Sequence, residues 1–373
     1  MRIKPNIVQI QSVRYLFILL LAVSMQARSQ DLTLESAGLQ PPVRLNCTPV
    51  KDQYMSSTCW SFSSVSFLES EMMRQHIPVT DLSEMFVARY SYIRKIEKHL
   101  ALKGGNFFTP GGQFHDVIWV LKNYGIVPES AYPGKPNGEL NHNHADLDTV
   151  ISHFVNKLVE DGVTTMDPLQ KKYVNMVLDQ YLGPVPATFV YQQKNYTPKT
   201  FMAQVVKLDP DDFVELTSYT HHPFGKWFVL EDKYNWTSDA YYNVPLSDFR
   251  KITDTALAMG YTLGWDGDAD DPDFHFMEGL AYLPGYIADE VKERQDAFKT
   301  QTTLLDHMMH IVAAVKDNKG KTWYYIKNSW GNINPIGGYI YMREDYFYQR
   351  TLVVIVHKRI IAAVTGSMPP PKN

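Results

Sequence analysis

The segment that runs from His307 to Asn328 places the strongest constraint on the fold. Its first half, "MMHIVAAV", is apolar and partly β-branched, "KDNKGK" is typical of a turn, and "TWYYIKN" is strand-like again. The pattern predicts a β-hairpin. If "KDNK" is the loop, Val315 faces Gly320, and counting back along both strands brings His307 opposite Asn328, with Cβ atoms roughly 5 Å apart. The chain should therefore contain a sheet in which an imidazole and a side-chain amide are neighbours.

Two histidines of this hairpin compete for a chemical role. An amide on Asn328 can fix the ring of His307 and leave its other nitrogen for a nucleophile. Side chains alternate between the two faces of a strand, so His310, three residues after His307, falls on the opposite face of the sheet. A register shift of one residue would exchange the faces of the two histidines. We predict that His307 is the base and keep His310 as the alternative.

Cys59 is the candidate nucleophile for this base. The run "TCWSFSSVSFLESEMMRQ" has apolar residues at helical spacing, namely Phe62, Val65, Leu68 and Met72. Ser57 or Thr58 would serve as N-cap, so Cys59 falls in the first turn, where backbone N–H groups and the helix dipole favour a thiolate. From these residues alone, a disulfide with Cys47 and an inert buried thiol remain open as alternatives.

The N-terminus has the pattern of a secretory signal peptide. Basic residues at positions 2, 4 and 14 precede the apolar run "YLFILLLAVSM" and the small-residue stretch "QARSQ". We expect cleavage after Ser29, or after Ala27, which predicts export to the periplasm or the extracellular space and no stable membrane insertion after cleavage. A retained membrane anchor is the alternative, although the apolar run is short for a membrane span.

Composition and charge narrow the function classes. The chain has 373 residues, a net charge of −4 and 45% apolar residues, so it can bury a large core and gives no reason to expect nucleic acid as a partner. His221 and His222 lie in a loop-like stretch without a third ligand at helical or strand spacing, and the acidic run 266–270 lacks the glycine and glutamate of an EF-hand loop. We predict no metal and no other cofactor.

Several segments resemble papain-like cysteine peptidases. They are "QYMSSTCWSF", the hairpin with His307, "NSWG", "PGGQFHDVIWVLKNYGIVPESAYP" and "GGYIYM". "FLESEMMR" and "DLSEMFVARYSYI" are most similar to the bleomycin hydrolase or aminopeptidase C branch, in its secreted bacterial form. The resemblance covers most of residues 45–360.

The resemblance implies an α+β, two-lobed papain-like fold. A helical lobe would carry the nucleophile and an antiparallel, β-barrel-like lobe would carry the histidine and asparagine. The expected segments are a signal peptide at 1–29, a mature N-terminal segment at 30–44, the helical lobe at 45–140, a helical insertion at 141–205, the β-rich lobe at 206–365 and a C-terminal tail at 366–373.

The resemblance also implies the roles of the catalytic residues. Cys59 would attack the scissile carbonyl and form a thioester, and His307 would accept and return the proton. Asn328 would orient His307, and Trp330 would shelter their hydrogen bond from water. Gln53 would donate its side-chain N–H to the oxyanion together with the backbone of Cys59.

Other positions concern the substrate cleft and departures from the family pattern. Gly111 and Gly112 would line the cleft and let a substrate backbone approach closely, with an ordinary turn as the alternative. Papain-like enzymes usually carry glycine where this chain has Tyr54 and Ser57, so the path of the oxyanion loop could differ. A serine replaces a cysteine that is often disulfide-bonded, so the simplest expectation for Cys47 is a free, buried thiol.

These features predict a cysteine peptidase that acts on peptides, most simply an aminopeptidase. An endopeptidase of the same fold and a non-catalytic domain that binds peptide or protein are the alternatives. Intracellular members of the branch resemble hexamers whose C-terminal tail restricts the cleft. A homo-oligomer is thus a possible assembly here, and we hypothesise that the tail still limits access to the cleft.

Overall fold

The computed structural model describes residues 32–136 and 138–372, so the predicted signal peptide at 1–29 lies outside the described residues. The α-helices in the described part are α1 (Leu34–Ala37), α2 (Cys59–Arg74), α3 (Glu84–Ala101), α4 (Phe114–Tyr124), α5 (Ala145–Glu160), α6 (Pro168–Leu182), α7 (Pro198–Phe201), α8 (Leu246–Ala258), α9 (Glu290–Lys299), α10 (Glu344–Arg350) and α11 (Lys358–Thr365). None of the described helices is both long and apolar enough to cross a membrane.

The strands form one large sheet and one small hairpin. They are β1 (Phe189–Tyr191), β2 (Lys194–Tyr196), β3 (Phe213–Thr217), β4 (Lys226–Val229), β5 (Ala240–Asn243), β6 (Leu263–Gly267), β7 (Phe274–His275), β8 (Leu280–Ala281), β9 (His307–Lys316), β10 (Thr322–Lys327), β11 (Tyr339–Arg343) and β12 (Thr351–His357). Strands β1 and β2 pair with each other, and the others follow the order β4-β5-β3-β12-β6-β9-β10-β11-β8-β7.

The fold is the expected α+β arrangement, with one difference in the sheet. Two of its pairs, β3 with β5 and β11 with β8, are parallel, while the other pairs are antiparallel. The order runs from β4 to β7 without a described pairing between these two strands. The β lobe is therefore a mixed sheet rather than an antiparallel barrel, because β5 runs parallel to β3 and β8 runs parallel to β11.

Helix α2 is the central helix of the molecule. The predicted stripe of Phe62, Val65, Leu68 and Met72 is buried, and so are the serines and glutamates between these residues. The reason is that α2 packs against β9 on one side and against α3 and α4 on the other. Its N-terminus therefore lies at the junction of the helical lobe and the sheet.

The predicted insertion, residues 141–205, contains α5, α6, the β1–β2 hairpin and α7. Apolar side chains of α5 and α6 repeat at three- and four-residue spacing, and they are buried in the same core as α2, α3 and α4. This segment therefore enlarges the helical lobe and does not form a separate core.

The hairpin β9–β10 exists, but the predicted register is wrong. Lys316 pairs with Thr322, so the turn comprises residues 317–321 rather than four residues. The carboxylate of Asp317 closes this turn, since its Oδ1 accepts hydrogen bonds from the backbone N–H groups of Lys319 and Lys321, both at 2.8 Å. Such an Asx-type contact stabilises a longer turn than the residue pattern alone indicated.

A β-bulge shifts the register a second time. Tyr325 pairs with Ala313 and Ile326 pairs with Ile311, so one residue of β9 is left without a partner between them. His307 itself pairs with Gly267 of β6 rather than lying opposite Asn328. The two residues nevertheless meet, because Asn328 follows directly after β10 and its side chain reaches across to the first residue of β9.

Candidate active site

Cys59 is the first residue of α2. Thr58 is the N-cap, and its carbonyl accepts hydrogen bonds from the N–H groups of Ser61 and Phe62 at 2.9 and 3.1 Å. Cys59 is half-buried, and both Cys59 and Cys47 are free thiols. The Cys47 sulfur lies 3.7 Å from the hydroxyl of Tyr339, which is the environment expected for a free thiol. The disulfide alternative is therefore wrong.

His307 is held by Asn328 and covered by Trp330. The Nε2 atom of His307 lies 2.8 Å from Oδ1 of Asn328, and this oxygen also accepts the N–H of Ser329 at 2.7 Å. Because the amide oxygen can only accept, Nε2 carries the proton and Nδ1 is left for the thiol. The rings of His307 and Trp330 have centroids 4.6 Å apart. The structure thus brings together the three residues in the arrangement that the sequence predicted.

His310, the alternative base, lies elsewhere. Its Nδ1 is 2.8 Å from the hydroxyl of Ser66 on α2, and the same hydroxyl accepts a hydrogen bond from Lys327 at 2.8 Å. The ring is fully buried, and burial holds the pKa of His310 well below its usual value. It has the environment of a structural core histidine, so the geometry favours His307 as the base.

Gln53 is positioned by a residue that the sequence interpretation missed. The hydroxyl of Ser329 donates to Oε1 of Gln53 at 2.6 Å, and the backbone N–H of Gln53 donates to the carbonyl of Ser329 at 2.8 Å. Since the amide oxygen is occupied, the amide N–H₂ group is the part left for the cleft, which Gln53 and Cys59 both line. Gln53 thus has a free side-chain donor and lines the same cleft as Cys59, which are two features that an oxyanion donor needs.

The loop between Gln53 and Cys59 keeps the backbone that glycines would give. Tyr54 has φ +48° and Ser57 has φ +54°, so both residues are in the left-handed region at the two positions where glycine was expected. The side chain of Asp52 supports the first of them by accepting the N–H of Tyr54 at 2.7 Å. A non-glycine residue in this region costs roughly 1–2 kcal/mol. The substitutions therefore strain the loop without redirecting it.

Burial opposes charge on both members of the catalytic pair. It raises the pKa of Cys59 to about 12, although backbone N–H groups of Met308 and Trp60 act in the opposite direction. Burial also lowers the pKa of His307 to about 4, although the hydrogen bond that its Nε2–H donates to Asn328 acts in the opposite direction. The helix start alone therefore does not produce a thiolate. Transfer of the thiol proton to His307 creates both charges together, and their mutual attraction offsets the desolvation.

The glycine pair at 111 and 112 lies in the cleft wall, supported by a buried lysine. A Cβ on Gly112 would stand 2.7 Å from the indole of Trp60, whereas at Gly111 the nearest atom is 3.8 Å away. The ammonium group of Lys95 donates to three successive carbonyls, those of residues 109–111. Lys95 was not predicted from the sequence, and the only signal was a lysine within the apolar face of α3.

Cys59, His307 and Gln53 share one cleft of about 290 Å³ between the lobes. Its lining includes Gln53, Ser57, Cys59, Thr109, Gly111, Gly112, Gln113, Tyr234, Asp266, Leu305, Asp306, His307, Met308 and Trp330. The tail lies elsewhere: Trp227 donates to the carbonyl of Pro370 at 2.8 Å, and Lys372 forms an ion pair with Asp239. Tail residues 366–372 do not line this cleft, which argues against the hypothesis that the tail limits access to it.

The two lobes and the residues at their junction define a papain-like cysteine peptidase. The chain belongs to the Peptidase C1-like family, whose sequence profile matches residues 93–368. This match begins after Cys59, so the assignment of the nucleophile depends on the site geometry.

Comparison with known proteins agrees with this class. The chain is 22% identical to aminopeptidase G of Lactobacillus delbrueckii subsp. lactis, with 84% of this chain and 81% of the relative covered. It is 23% identical to bleomycin hydrolase of Gallus gallus over 84% and 81% of the two chains. The crystal structure of PepW from Lactobacillus rhamnosis superposes with a TM-score of 0.67 at 18% identity, covering 98% of this chain and 96% of that one. The aminopeptidase and bleomycin hydrolase relatives confirm the predicted branch, and PepW shows the same fold. The secreted form of the branch stays a prediction.

Proposed function

We propose that this cysteine peptidase removes residues from the N-termini of peptides. The observation that carries the chemistry is the placement of Cys59 in the same cleft as an imidazole that Asn328 holds by one nitrogen. Relatives named aminopeptidase G and aminopeptidase C, the second 22% identical over 90% of this chain, support the choice of an exopeptidase.

The reaction follows from the geometry. Cys59 passes its proton to Nδ1 of His307, and the sulfur attacks the scissile carbonyl carbon. The negative charge that develops on the carbonyl oxygen is met by the amide N–H of Gln53 and the backbone N–H of Cys59. His307 then protonates the leaving amine, and a thioester remains. Water gives a proton to His307, attacks the thioester and releases the acid, which restores the thiol.

Two substitutions test the nucleophile. Cys59→Ser should abolish hydrolysis of leucyl-aminomethylcoumarin and stoichiometric labelling by a peptidyl epoxide, whereas Cys47→Ser should retain both. The assay needs a reductant, because oxidation of the thiol would mimic an inactive protein. A wild-type protein that binds peptide but neither hydrolyses it nor reacts with the epoxide would instead be a non-catalytic binding domain.

An endopeptidase is the second candidate, because tail residues 366–372 do not line the cleft that contains Cys59. Paired substrates distinguish the two functions. An aminopeptidase cleaves leucyl-aminomethylcoumarin faster than its N-acetyl derivative, and an endopeptidase shows the opposite preference and cuts an internally quenched peptide away from its ends.

Export and assembly complete the proposal. The pattern of residues 1–29 supports a signal peptide and a periplasmic or extracellular protein. Expression of the full chain in a bacterial host, followed by fractionation and N-terminal sequencing, tests this: a cytosolic protein that retains its first residues would contradict it.

Light scattering of the purified protein tests the homo-oligomer, and a monomer mass at micromolar concentration would exclude it.

A further inference from the structure

Asp266 has a buried carboxyl group in the cleft, and this group takes no part in the catalytic mechanism described above. It lies on β6, pairs with Met308 of β9 and is 2% exposed. Its Oδ1 atom has no hydrogen-bond partner among the described residues, yet the side chain lines the same cleft as Cys59 and His307. A buried carboxyl oxygen without a partner costs free energy, so its presence calls for an explanation.

The surroundings of Asp266 are acidic. Glu215, Asp232 and Asp306 lie near it, and after burial itself they are the groups that raise the pKa of Asp266 well above its usual value. Each of these three has partners of its own. Glu215 contacts His115 at 3.1 Å, Asp232 accepts the N–H of Tyr234 at 2.8 Å, and Asp306 accepts the N–H of Ala269 at 2.8 Å. Asp266 is thus the group of this set with an oxygen left for a cation.

A metal ion does not suit this place. Among the described residues, the ligand atoms of His, Cys, Asp and Glu converge closely enough for a metal only at His221, His222 and Glu231, which do not line the cleft. A second buried acceptor does line it, since Oε1 of Gln113 also has no partner. Separate oxygens that each lack a donor suit an ammonium group, which offers three donors and no acceptor.

We propose that Asp266 binds the α-ammonium group of the substrate's N-terminal residue and so determines that the enzyme acts on free N-termini. This inference rests on the proposed aminopeptidase function. The α-nitrogen is only about 2.5 Å from the carbonyl carbon of the same residue. Both must therefore enter one cleft, and Asp266 lies in it beside Met308, the residue after His307. Gln113 supplies a further acceptor for the same group.

The test compares Asp266→Asn with wild type on two substrates. For leucyl-aminomethylcoumarin we expect kcat/KM to fall about tenfold or more, mainly through KM, because a charge-assisted hydrogen bond is lost. For the N-acetyl derivative we expect a change of less than about twofold. Glu278→Gln is the matched control, since Glu278 is exposed and does not line the cleft. It should leave both substrates unaffected.

Other outcomes would overturn the proposal and can be told apart from failure of the proposed function. Equal loss on both substrates would mean that Asp266 acts on Cys59 or on the fold, and no loss would mean that it has no role in recognition. Asp266→Asn could also lower kcat/KM selectively for an N-acetyl substrate that has lysine directly before the residue whose carbonyl is attacked. That result would mean that Asp266 binds the ammonium group of a lysine side chain instead. If wild type prefers the N-acetyl substrate, the aminopeptidase function itself fails.

A measurement on the unaltered protein covers the case in which the variant does not fold. Leucinol and 4-methylpentan-1-ol differ only in the amine. As competitive inhibitors of wild type, the amine should bind about tenfold more tightly or better. Equal inhibition constants would overturn the proposal.

Discussion

Substitution of Gln53 and its anchor Ser329 would show whether the oxyanion donor is preorganised. In the structure, the oxygen of the Gln53 amide is fixed by Ser329 at 2.6 Å, so its N–H₂ group is turned towards the cleft before substrate arrives. Loss of a preorganised oxyanion donor typically costs about 2.7–4 kcal/mol of transition-state stabilisation. We therefore expect Gln53→Leu to lower kcat about 10²- to 10³-fold with little effect on KM.

Ser329→Ala removes only the anchor. A single hydrogen bond contributes about 0.5–1.5 kcal/mol, so we expect kcat to fall about two- to tenfold. Because Ser329 acts through Gln53, the double variant should be no slower than Gln53→Leu alone. Steady-state kinetics on leucyl-aminomethylcoumarin measure these values. Alkylation by iodoacetamide, which forms no oxyanion, should proceed at the wild-type rate in all three variants. Additive losses in the double variant, or an unchanged kcat in Gln53→Leu, would refute the reasoning.

Four further predictions follow from the described contacts. Gly112→Ala should lower the unfolding free energy by about 1–3 kcal/mol in urea titrations, because its Cβ would overlap an indole, whereas Gly111→Ala should change it by less than about 0.5 kcal/mol. Asn328→Ala should lower kcat/KM about 10- to 100-fold, since it removes the oxygen that accepts the hydrogen bond of the imidazolium; a wild-type value would contradict this role. Burial lowers the pKa of His144 to about 4, so the unfolded chain takes up a proton at this residue at a higher pH than the folded chain does, and the folded state loses stability as the pH falls below about 6.5. Between pH 7 and 4.5, the unfolding free energy of His144→Leu should therefore fall by about 2 kcal/mol less than that of wild type. Deletion of residues 367–373 should leave cleavage of an internally quenched peptide unchanged, because the described tail residues, 367–372, do not line the cleft.

Local patterns in the sequence predicted the elements that carry the catalytic residues. Helical spacing placed Cys59 at the start of a helix, and the turn residues placed His307 and Asn328 in one hairpin. The register could not be predicted, because the Asp317 turn and the bulge each add a residue without altering the apolar pattern. The error did not separate His307 from Asn328, since a diagonal neighbour in a sheet is still within reach of an amide side chain.

The supporting residues could not be predicted in the same way. Ser329 acts on a partner 276 positions away, and Lys95 binds carbonyl groups of a separate segment 14–16 positions away. Asp266 is noticeable only because its oxygen lacks a partner among the described residues. A lone polar residue within an apolar stretch gives no indication of which groups will surround it. Such positions become interpretable only when the tertiary contacts are known.

The strained loop at Tyr54 and Ser57 bears on the order in which the molecule assembles. Two backbone hydrogen bonds tie this segment to the other lobe, from Gln53 to Ser329 at 2.8 Å and from the N–H of Gly331 to the carbonyl of Lys51 at 3.1 Å. Because neither loop residue favours a left-handed backbone by itself, docking of the sheet must impose it. Helix α2 can form from local interactions, but the oxyanion loop depends on contacts made across some 276 positions of the chain. A folding intermediate with a formed helical lobe would therefore carry its nucleophile in place and still be inactive.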